Sequence, residues 1–139
     1  MGELQIVEWS IPSVLGREKI VIEGISEIIK PMEQRRERLA DIMTTVGEAC
    51  LNSIEHGNGL DAKKIVRVKM NVQTQAYVIR IYDEGSGFQP QAITPQLDKK
   101  FQEDDPRGWG LFLINSLADY VGYDWEQGAF FVEVRFDRV

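Results

Sequence analysis

Helical spacing places a carboxylate, an amide and an imidazole one turn apart in the middle of the chain. Glu48, Asn52 and His56 recur every four residues, so on a helix they lie along one face. Val46 and Cys50 belong to the apolar stripe on the other side. An amide oxygen is a hard ligand that suits Mg²⁺, and a carboxylate can polarise an attacking hydroxyl. The alternative is an ordinary solvated helix face.

A second candidate is a glycine-rich turn that directly follows an apolar strand pattern. Asp83 ends the run, and Gly85 and Gly87 come after it. Two glycines two residues apart let the backbone turn sharply and approach a ligand closely. An Asp carboxylate can accept a hydrogen bond from an exocyclic amine such as that of adenine. A plain β-turn is the alternative, because Asp and Gly are common turn residues.

A third candidate is the glycine pair that precedes the last helical pattern. Gly108 and Gly110 stand just before Leu111, where the apolar spacing begins. A glycine-rich loop that leads into a helix can bind phosphate through backbone N–H groups and the helix dipole, and Arg107 would add a cation. Leu113 stands where a dinucleotide fingerprint has its third glycine, and no P-loop motif occurs. A glycine loop that only closes onto a helix is the alternative.

Composition excludes several classes of protein. The chain has 139 residues, of which 43% are hydrophobic and 27% charged, and this fits one globular domain over residues 1–139. The net charge of −6 disfavours electrostatic binding to nucleic acid or to an anionic membrane. The single cysteine, Cys50, excludes an internal disulfide and is interpreted as a core residue. With no signal-peptide pattern and no apolar run of ~18 residues, we expect a cytoplasmic protein.

Changes in hydrophobic period locate the elements that must position these residues. Strands are predicted over residues 4–9, 66–72 and 76–82 and in a closing hairpin over residues 123–136, and helices over residues 12–30, 32–56 and 111–121. This order predicts an α+β two-layer sandwich, with a mostly antiparallel sheet covered by helices on one face. The long segment between Asp83 and Arg107 is typical of a functional or mobile loop.

The three motifs follow one another in an order and spacing that resembles a known family. They are Glu48-Ala-Cys-Leu-Asn52-Ser-Ile-Glu-His56-Gly, Asp83-x-Gly85-x-Gly87 and Gly108-x-Gly110-Leu111. They resemble the nucleotide boxes of the ATPases related to gyrase, MutL and histidine kinases. The short length and the run from Gly110 to Asp119 resemble most closely the anti-sigma-factor serine kinases of the RsbW and SpoIIAB type. The resemblance covers essentially the whole chain and implies the Bergerat-type ATP-binding fold.

The resemblance implies a role for each residue of the first two boxes. Glu48 would act as general base or orient the attacking group, and Asn52 would be the Mg²⁺ ligand that links the metal to the triphosphate. Asp83 would accept the adenine amino group. Gly85 and Gly87 would allow the ring to come close to the backbone.

The third box would form the phosphate end of the same site. Gly108, Gly110 and Leu111 would let the loop fold over the phosphates, and Arg107 would contact the γ-phosphate. The segment from about residue 88 to 107 would be an ATP lid that the nucleotide orders. The implied cofactors are ATP and Mg²⁺.

The sequence departs from the family pattern in its last strand. Many relatives carry a hydroxyl residue near the adenine, after a glycine, whereas here Gly128 is followed by Ala129, Phe130 and Phe131. The resemblance therefore implies that a water-bridged contact to the base is missing.

The family implies ATP-dependent phosphorylation of a serine on a STAS-type anti-anti-sigma protein, sequestration of a sigma factor or another regulator, and a homodimer. One alternative is a nucleotide-gated binding regulator without phosphotransfer, which the Glu48 and Asn52 pair disfavours. Another is the catalytic piece of a histidine kinase. The chain is too short to include a phospho-acceptor helix pair, and its only histidine, His56, lies inside the first box.

Overall fold

One five-stranded sheet carries helices on one of its faces. The computed structural model describes residues 3–85 and 110–138. The elements are β1 (Glu3–Pro12), α1 (Glu18–Ile29), α2 (Arg36–Asn52), a π-helical turn (Ser53–Gly57), β2 (Ile65–Gln73), β3 (Ala76–Asp83), α3 (Gly110–Leu117), β4 (Tyr120–Glu126) and β5 (Ala129–Asp137). The predicted α+β class and the two layers are confirmed.

The sheet has the strand order β1-β2-β3-β5-β4, and every pairing between these strands is antiparallel. Short connections explain much of this order. Between β4 and β5, Gln127 and Gly128 both adopt positive φ, 52° and 83°. Two such residues form the tight hairpin turn whose twist suits antiparallel strands. The hairpin that the sequence predicts here is therefore present.

The core lies between the sheet and the helices. In β2 the alternate residues Val66, Val68, Met70 and Val72 are fully buried. They pack with buried residues of α1, α2 and α3, among them Val21, Ile25, Ile29, Ile42, Val46, Cys50 and Ile114. Because a strand turns alternate side chains to opposite faces, the residues between them, such as Arg67, lie on the face without helices. Cys50 is a buried core residue, as predicted, and burial raises the pKa of its thiol.

The start of the first helix was predicted too early. Pro12 ends strand β1, opposite Ile65, instead of opening a helix, and α1 begins at Glu18. A proline is tolerated on an edge strand because its missing N–H removes no essential ladder bond. Gly16, at φ 99°, then turns the chain, and its N–H donates to Glu18 Oε1 at 2.7 Å.

Two further helix boundaries differ from the prediction. Helix α2 begins at Arg36 and not at residue 32, because the buried Glu33 carboxylate accepts from the Arg35 N–H at 3.0 Å and from Tyr77 Oη at 3.1 Å. These bonds hold the chain outside a helix. Val121 lies in β4 instead of on the last helix, which ends at Leu117.

None of the helices within the described ranges combines the length and the apolar character that crossing a bilayer requires.

Candidate functional site

The end of α2 meets the start of α3. Glu48 is half-buried, and Asn52 is only 3% exposed. A methyl group added at Gly110 would lie 3.1 Å from Glu48 Oε1 and 3.3 Å from Asn52 Nδ2. The structure therefore brings the first and third predicted motifs together. The alternative of a solvated helix face is wrong for Asn52, whose Nδ2 makes no hydrogen bond to any of the described residues.

A π-helical turn carries the chain from α2 towards the second motif. It covers Ser53–Gly57, and it closes with a hydrogen bond of 2.8 Å from the Asn58 N–H to the Ser53 carbonyl. Turns of this type are rare and occur often at functional sites. This wider turn ends at Gly57, close to the helix end at His56 that the following glycines predict. It also brings Gly57 against the end of β3.

Asp83, the last residue of β3, presents a buried carboxyl group with one unused oxygen. The residue is 1% exposed. Its Oδ1 accepts from the Gly85 N–H at 3.1 Å, whereas Oδ2 has no hydrogen-bond partner within the described part of the chain. Loss of water raises the pKa of this carboxyl to about 6, and the Gly85 N–H opposes the rise in part. The site thus holds a buried acceptor that is free to bind a donor.

Two glycines allow the chain after β3 to touch the π-helical turn. A methyl group at Gly57 would lie 2.3 Å from Asp83 Oδ2. One at Gly85 would lie 1.7 Å from the Gly57 carbonyl oxygen. Neither position has room for a side chain. An isolated β-turn would not require this close approach, so the glycines here serve the contact between the two segments.

Asn58 is the residue at this site that the sequence analysis missed. Its Oδ1 accepts from the N–H groups of Glu84 and Gly85, at 2.7 and 2.9 Å. Its Nδ2 donates to Ser13 Oγ at 2.9 Å and to the Ile65 carbonyl at 3.2 Å. In sequence the residue stands between Gly57 and Gly59 and resembles a helix stop. No local signal reveals its long-range partners.

An aromatic cluster lies beside the Asp83 carboxyl. Phe130 of β5 is the direct register partner of Asp83, and Trp125 of β4 is the partner of Phe130, so all three share one face of the sheet. The Trp125 and Phe130 rings meet edge to face, with centroids 5.3 Å apart. On Phe130 the Tyr123 ring also stacks, with a centroid distance of 6.3 Å. Phe130 is therefore the cross-strand neighbour of Asp83 on this face. Phe131 lies on the other face, where it packs against Tyr82.

This geometry can be compared with known proteins. Residues 15–136 match the family described as the histidine kinase-like ATPase domain. The chain belongs to this family.

Two of its relatives carry the names that the motif resemblance predicts. The chain is 25% identical to the serine-protein kinase RsbW of Halalkalibacterium halodurans over 137 residues, which cover 95% of this chain and 83% of that protein. It is 32% identical to the anti-sigma F factor of Clostridium novyi over 98 residues, which cover 69% and 68% respectively. The predicted kinship with the RsbW and SpoIIAB type is confirmed.

A solved structure supports the fold of this histidine kinase-like ATPase domain. It contains the RsbU and RsbW domains of a Mycobacterium tuberculosis protein, and it matches with a TM-score of 0.67 at 16% identity. The match covers 98% of this chain but 34% of that one, so the chain spans about a third of the solved protein. At this identity the match concerns the fold alone.

Several predicted residues of this ATPase domain lie outside the described ranges. They are Gly87, Arg107 and Gly108, together with the predicted lid over residues 88–107. Leu111 is described, and its side chain is buried in the core. His56 is exposed at the π-helical turn.

The donor set fits a nucleotide with its metal better than a metal held by protein alone. Among residues 3–85 and 110–138, no three His, Cys, Asp or Glu side chains come together as a metal site. Mg²⁺ typically takes one or two protein oxygens and completes its shell with water and phosphate. Asn52 beside Glu48 could supply such ligands. The buried Nδ2 of Asn52 and the unused Oδ2 of Asp83, which have no hydrogen-bond partner among the described residues, are the polar atoms that a bound nucleotide would satisfy.

Proposed function

We propose that this ATPase domain binds ATP with Mg²⁺ and transfers the γ-phosphoryl group to a serine of a protein partner. The observation that carries the proposal is the meeting of Glu48, Asn52 and Gly110 at one point. A carboxylate, an amide and the N-terminus of a helix are the groups that a phosphoryl-transfer site needs near its reacting end.

The base would bind at the end of β3. Asp83 Oδ2 is a buried acceptor without a partner among the described residues, so it suits the amino group of adenine. The close contact of Gly57 and Gly85 leaves no side chain between the ring and the backbone there. Phe130 offers an apolar surface in place of the hydroxyl group of many relatives.

The phosphates would lie between α2 and α3. Asn52 would hold Mg²⁺ through its amide oxygen, and the N–H groups at the start of α3 would face the phosphate oxygens. We propose that Arg107, Gly108, Gly110 and the backbone of Leu111 complete this end, and that Gly87 and the lid over residues 88–107 close the site. Bound Mg-ATP would supply the phosphoryl group, and the chain would supply its orientation.

Glu48 would act on the incoming serine. Its carboxylate lies beside Gly110, at the junction where the γ-phosphate would end. From there it would accept the proton of the attacking hydroxyl, or orient that hydroxyl for in-line attack.

The names of the relatives suggest the partners. Because they are called serine-protein kinase RsbW and anti-sigma F factor, we propose that this protein sequesters a sigma factor or a similar regulator. The phosphorylated serine would belong to a STAS-type anti-anti-sigma protein. We further propose a cytoplasmic homodimer of single-domain subunits.

Titration calorimetry of ATP, with and without Mg²⁺, tests the nucleotide site. We expect binding that requires Mg²⁺ and that weakens at least tenfold in Asn52→Ala, because the metal loses its protein ligand. Asn115→Ala, which removes an exposed amide of α3, is the matched control and should bind as the unmodified protein does. Absence of binding at millimolar ATP would refute the proposal. Binding without phosphotransfer to any STAS-type protein would favour the nucleotide-gated regulator instead.

A further inference from the structure

Asn58 joins three separate segments of the chain through one buried side chain. It is 3% exposed, and both the oxygen and the nitrogen of its amide form hydrogen bonds. The oxygen accepts from Glu84 and Gly85, which follow β3, and the nitrogen donates to Ser13 and to the Ile65 carbonyl.

The oxygen side of this network fixes the turn that carries Asp83. The Gly85 N–H lies 2.9 Å from Asn58 Oδ1 and 3.1 Å from Asp83 Oδ1, so the two acceptors share one donor. Without Asn58 the turn over Glu84 and Gly85 would lose the acceptor that anchors both of its N–H groups, so the Gly85 N–H would no longer be held against Asp83 Oδ1. The position of the Asp83 carboxyl therefore depends on the amide of Asn58.

The nitrogen side anchors the same amide to the rest of the fold. Asn58 Nδ2 donates to Ser13 Oγ, and Ser13 Oγ donates in turn to the Lys64 carbonyl at 2.8 Å. These groups belong to the ends of β1 and β2 and make no hydrogen bond to Asp83. The network thus has one side that supports the fold and one side that faces the base site.

The backbone of Asn58 needs no asparagine. Its φ of −101° and ψ of −1° are accessible to any residue. A substitution here acts through the lost amide and not through backbone strain.

We propose that Asn58 is a positioning residue that holds Asp83 for a purine with a 6-amino group, and so sets the base selectivity of the site. This inference rests on the proposed nucleotide function. A fixed carboxylate accepts from the 6-amino group of adenine and repels the 6-oxo group of hypoxanthine. A carboxylate that can move away loses both effects.

The first test compares the affinities for ATP and inosine triphosphate in the presence of Mg²⁺. Because the two ligands share one triphosphate, the ratio of their affinities isolates the base contact. We expect Asn58→Ser to lower that ratio about tenfold, chiefly through weaker ATP binding. Ser13→Ala is the matched control, since it breaks the same network on its other side. It should lower the thermal midpoint and leave the ratio within about twofold of that of the unmodified protein.

A merely structural role would give a different result. Equal affinity ratios in Asn58→Ser and in the unmodified protein would overturn the inference. A ratio in Ser13→Ala that falls as far as the ratio in Asn58→Ser would also overturn it. An unmodified protein that binds both ligands equally well would also overturn it. An unmodified protein that binds neither ligand would refute the proposed function itself.

A second measurement does not depend on the folding of a variant. In amide hydrogen exchange of the unmodified protein without nucleotide, the Glu84 and Gly85 N–H groups should be protected, because Asn58 Oδ1 accepts from both. Exchange of these two amides at the rate of an unstructured peptide would overturn the inference.

Discussion

Two buried asparagines six positions apart differ sharply in their surroundings. Asn52 and Asn58 are each 3% exposed. The Asn58 side chain takes part in four hydrogen bonds, whereas Asn52 Nδ2 makes none to the described residues. Since a buried N–H donor without a partner is unfavourable, its retention in Asn52 points to a ligand, whereas the saturated amide of Asn58 holds neighbouring segments of the chain in place.

The same contrast extends to the two ends of the site. Around Asp83 the segments are in backbone contact and leave no room for a methyl group at Gly57 or Gly85. Around Asn52, a methyl group added at Gly110 would first meet atoms of flexible side chains, at 3.1 Å and beyond. If the proposed nucleotide site is correct, its base end is preorganised and its phosphate end is completed by the ligand. The following predictions test this difference.

The largest expected effect is on phosphotransfer. Glu48→Gln should slow transfer to the protein substrate by roughly 10³-fold, because the amide cannot accept the hydroxyl proton. ATP affinity should change less than about threefold, since in the proposed mechanism Glu48 would act on the incoming serine and not on the nucleotide. Single-turnover assays and calorimetry measure the two quantities. Glu37→Gln, in the exposed first turn of α2, is the control, and an equal loss of binding and transfer would contradict the assigned role.

A methyl group added at Gly85 and one added at Gly110, at the two ends of the site, should have unequal effects on stability. In Gly85→Ala the new atom meets a backbone carbonyl at 1.7 Å, so we expect a loss of roughly 3 kcal/mol or more in the free energy of unfolding. In Gly110→Ala the neighbours are the side chains of Glu48 and Asn52, which can shift. A change within about 1 kcal/mol is expected there. Urea denaturation without nucleotide measures both, and similar losses would remove the contrast.

The buried carboxyl of Asp83 should make stability depend on pH. Burial raises its pKa in the folded protein to about 6 from the ordinary value of 3.8, so between these values the folded state binds more protons than the unfolded state. Stability should therefore fall by up to about 3 kcal/mol as the pH rises from about 4 to 6, and then stay level.

The variant Asp83→Asn isolates this contribution. It keeps an acceptor for the Gly85 N–H but cannot ionise. Its urea midpoint should therefore not show the decrease between about pH 4 and 6 that the ionisation of Asp83 causes. Asp61 is exposed, so the control variant Asp61→Asn should retain the full dependence of stability on pH. Parallel pH profiles in the unmodified protein and Asp83→Asn would show that Asp83 ionises normally.

The smallest effect compares the two asparagines directly. Asn58→Ala should destabilise the protein without nucleotide by about 2 kcal/mol, because two backbone N–H groups lose their acceptor. Asn52→Ala should leave the free energy of unfolding unchanged within about 0.5 kcal/mol, or increase it, because a buried N–H donor without a partner among the described residues is removed. Equal losses, measured by urea denaturation, would mean that Asn52 also supports the fold.

Local pattern was enough to predict most of the fold. The alternation of β2, the hairpin at Gln127 and Gly128, and the helical spacing up to His56 all depend on neighbours within a few residues. Pro12 misled the prediction because proline suits both the first turn of a helix and an edge strand. Only the pairing of Pro12 with Ile65 distinguishes the two.

The candidate site was predicted in its residue types and only partly in its geometry. Glu48, Asn52 and Asp83 stand out because chemically capable residues recur at helical spacing or at the end of a strand. Their catalytic and binding roles remain predictions. The place of Phe130 could not be inferred, since it depends on the register in which β5 pairs with Asp83.

By itself, the sequence determined the two-layer α+β class and the family, because composition, period and motif spacing are properties of the linear chain, and from the same spacing it predicted the residues that would bind a nucleotide. Only the tertiary structure decided which buried amide is saturated and which is not. Three of the four side-chain partners of Asn58 lie 26, 27 and 45 positions away, and no local pattern carries that information. These partners are set by the tertiary structure, because a buried polar group is stable only when it forms a hydrogen bond, either within the fold or with a ligand.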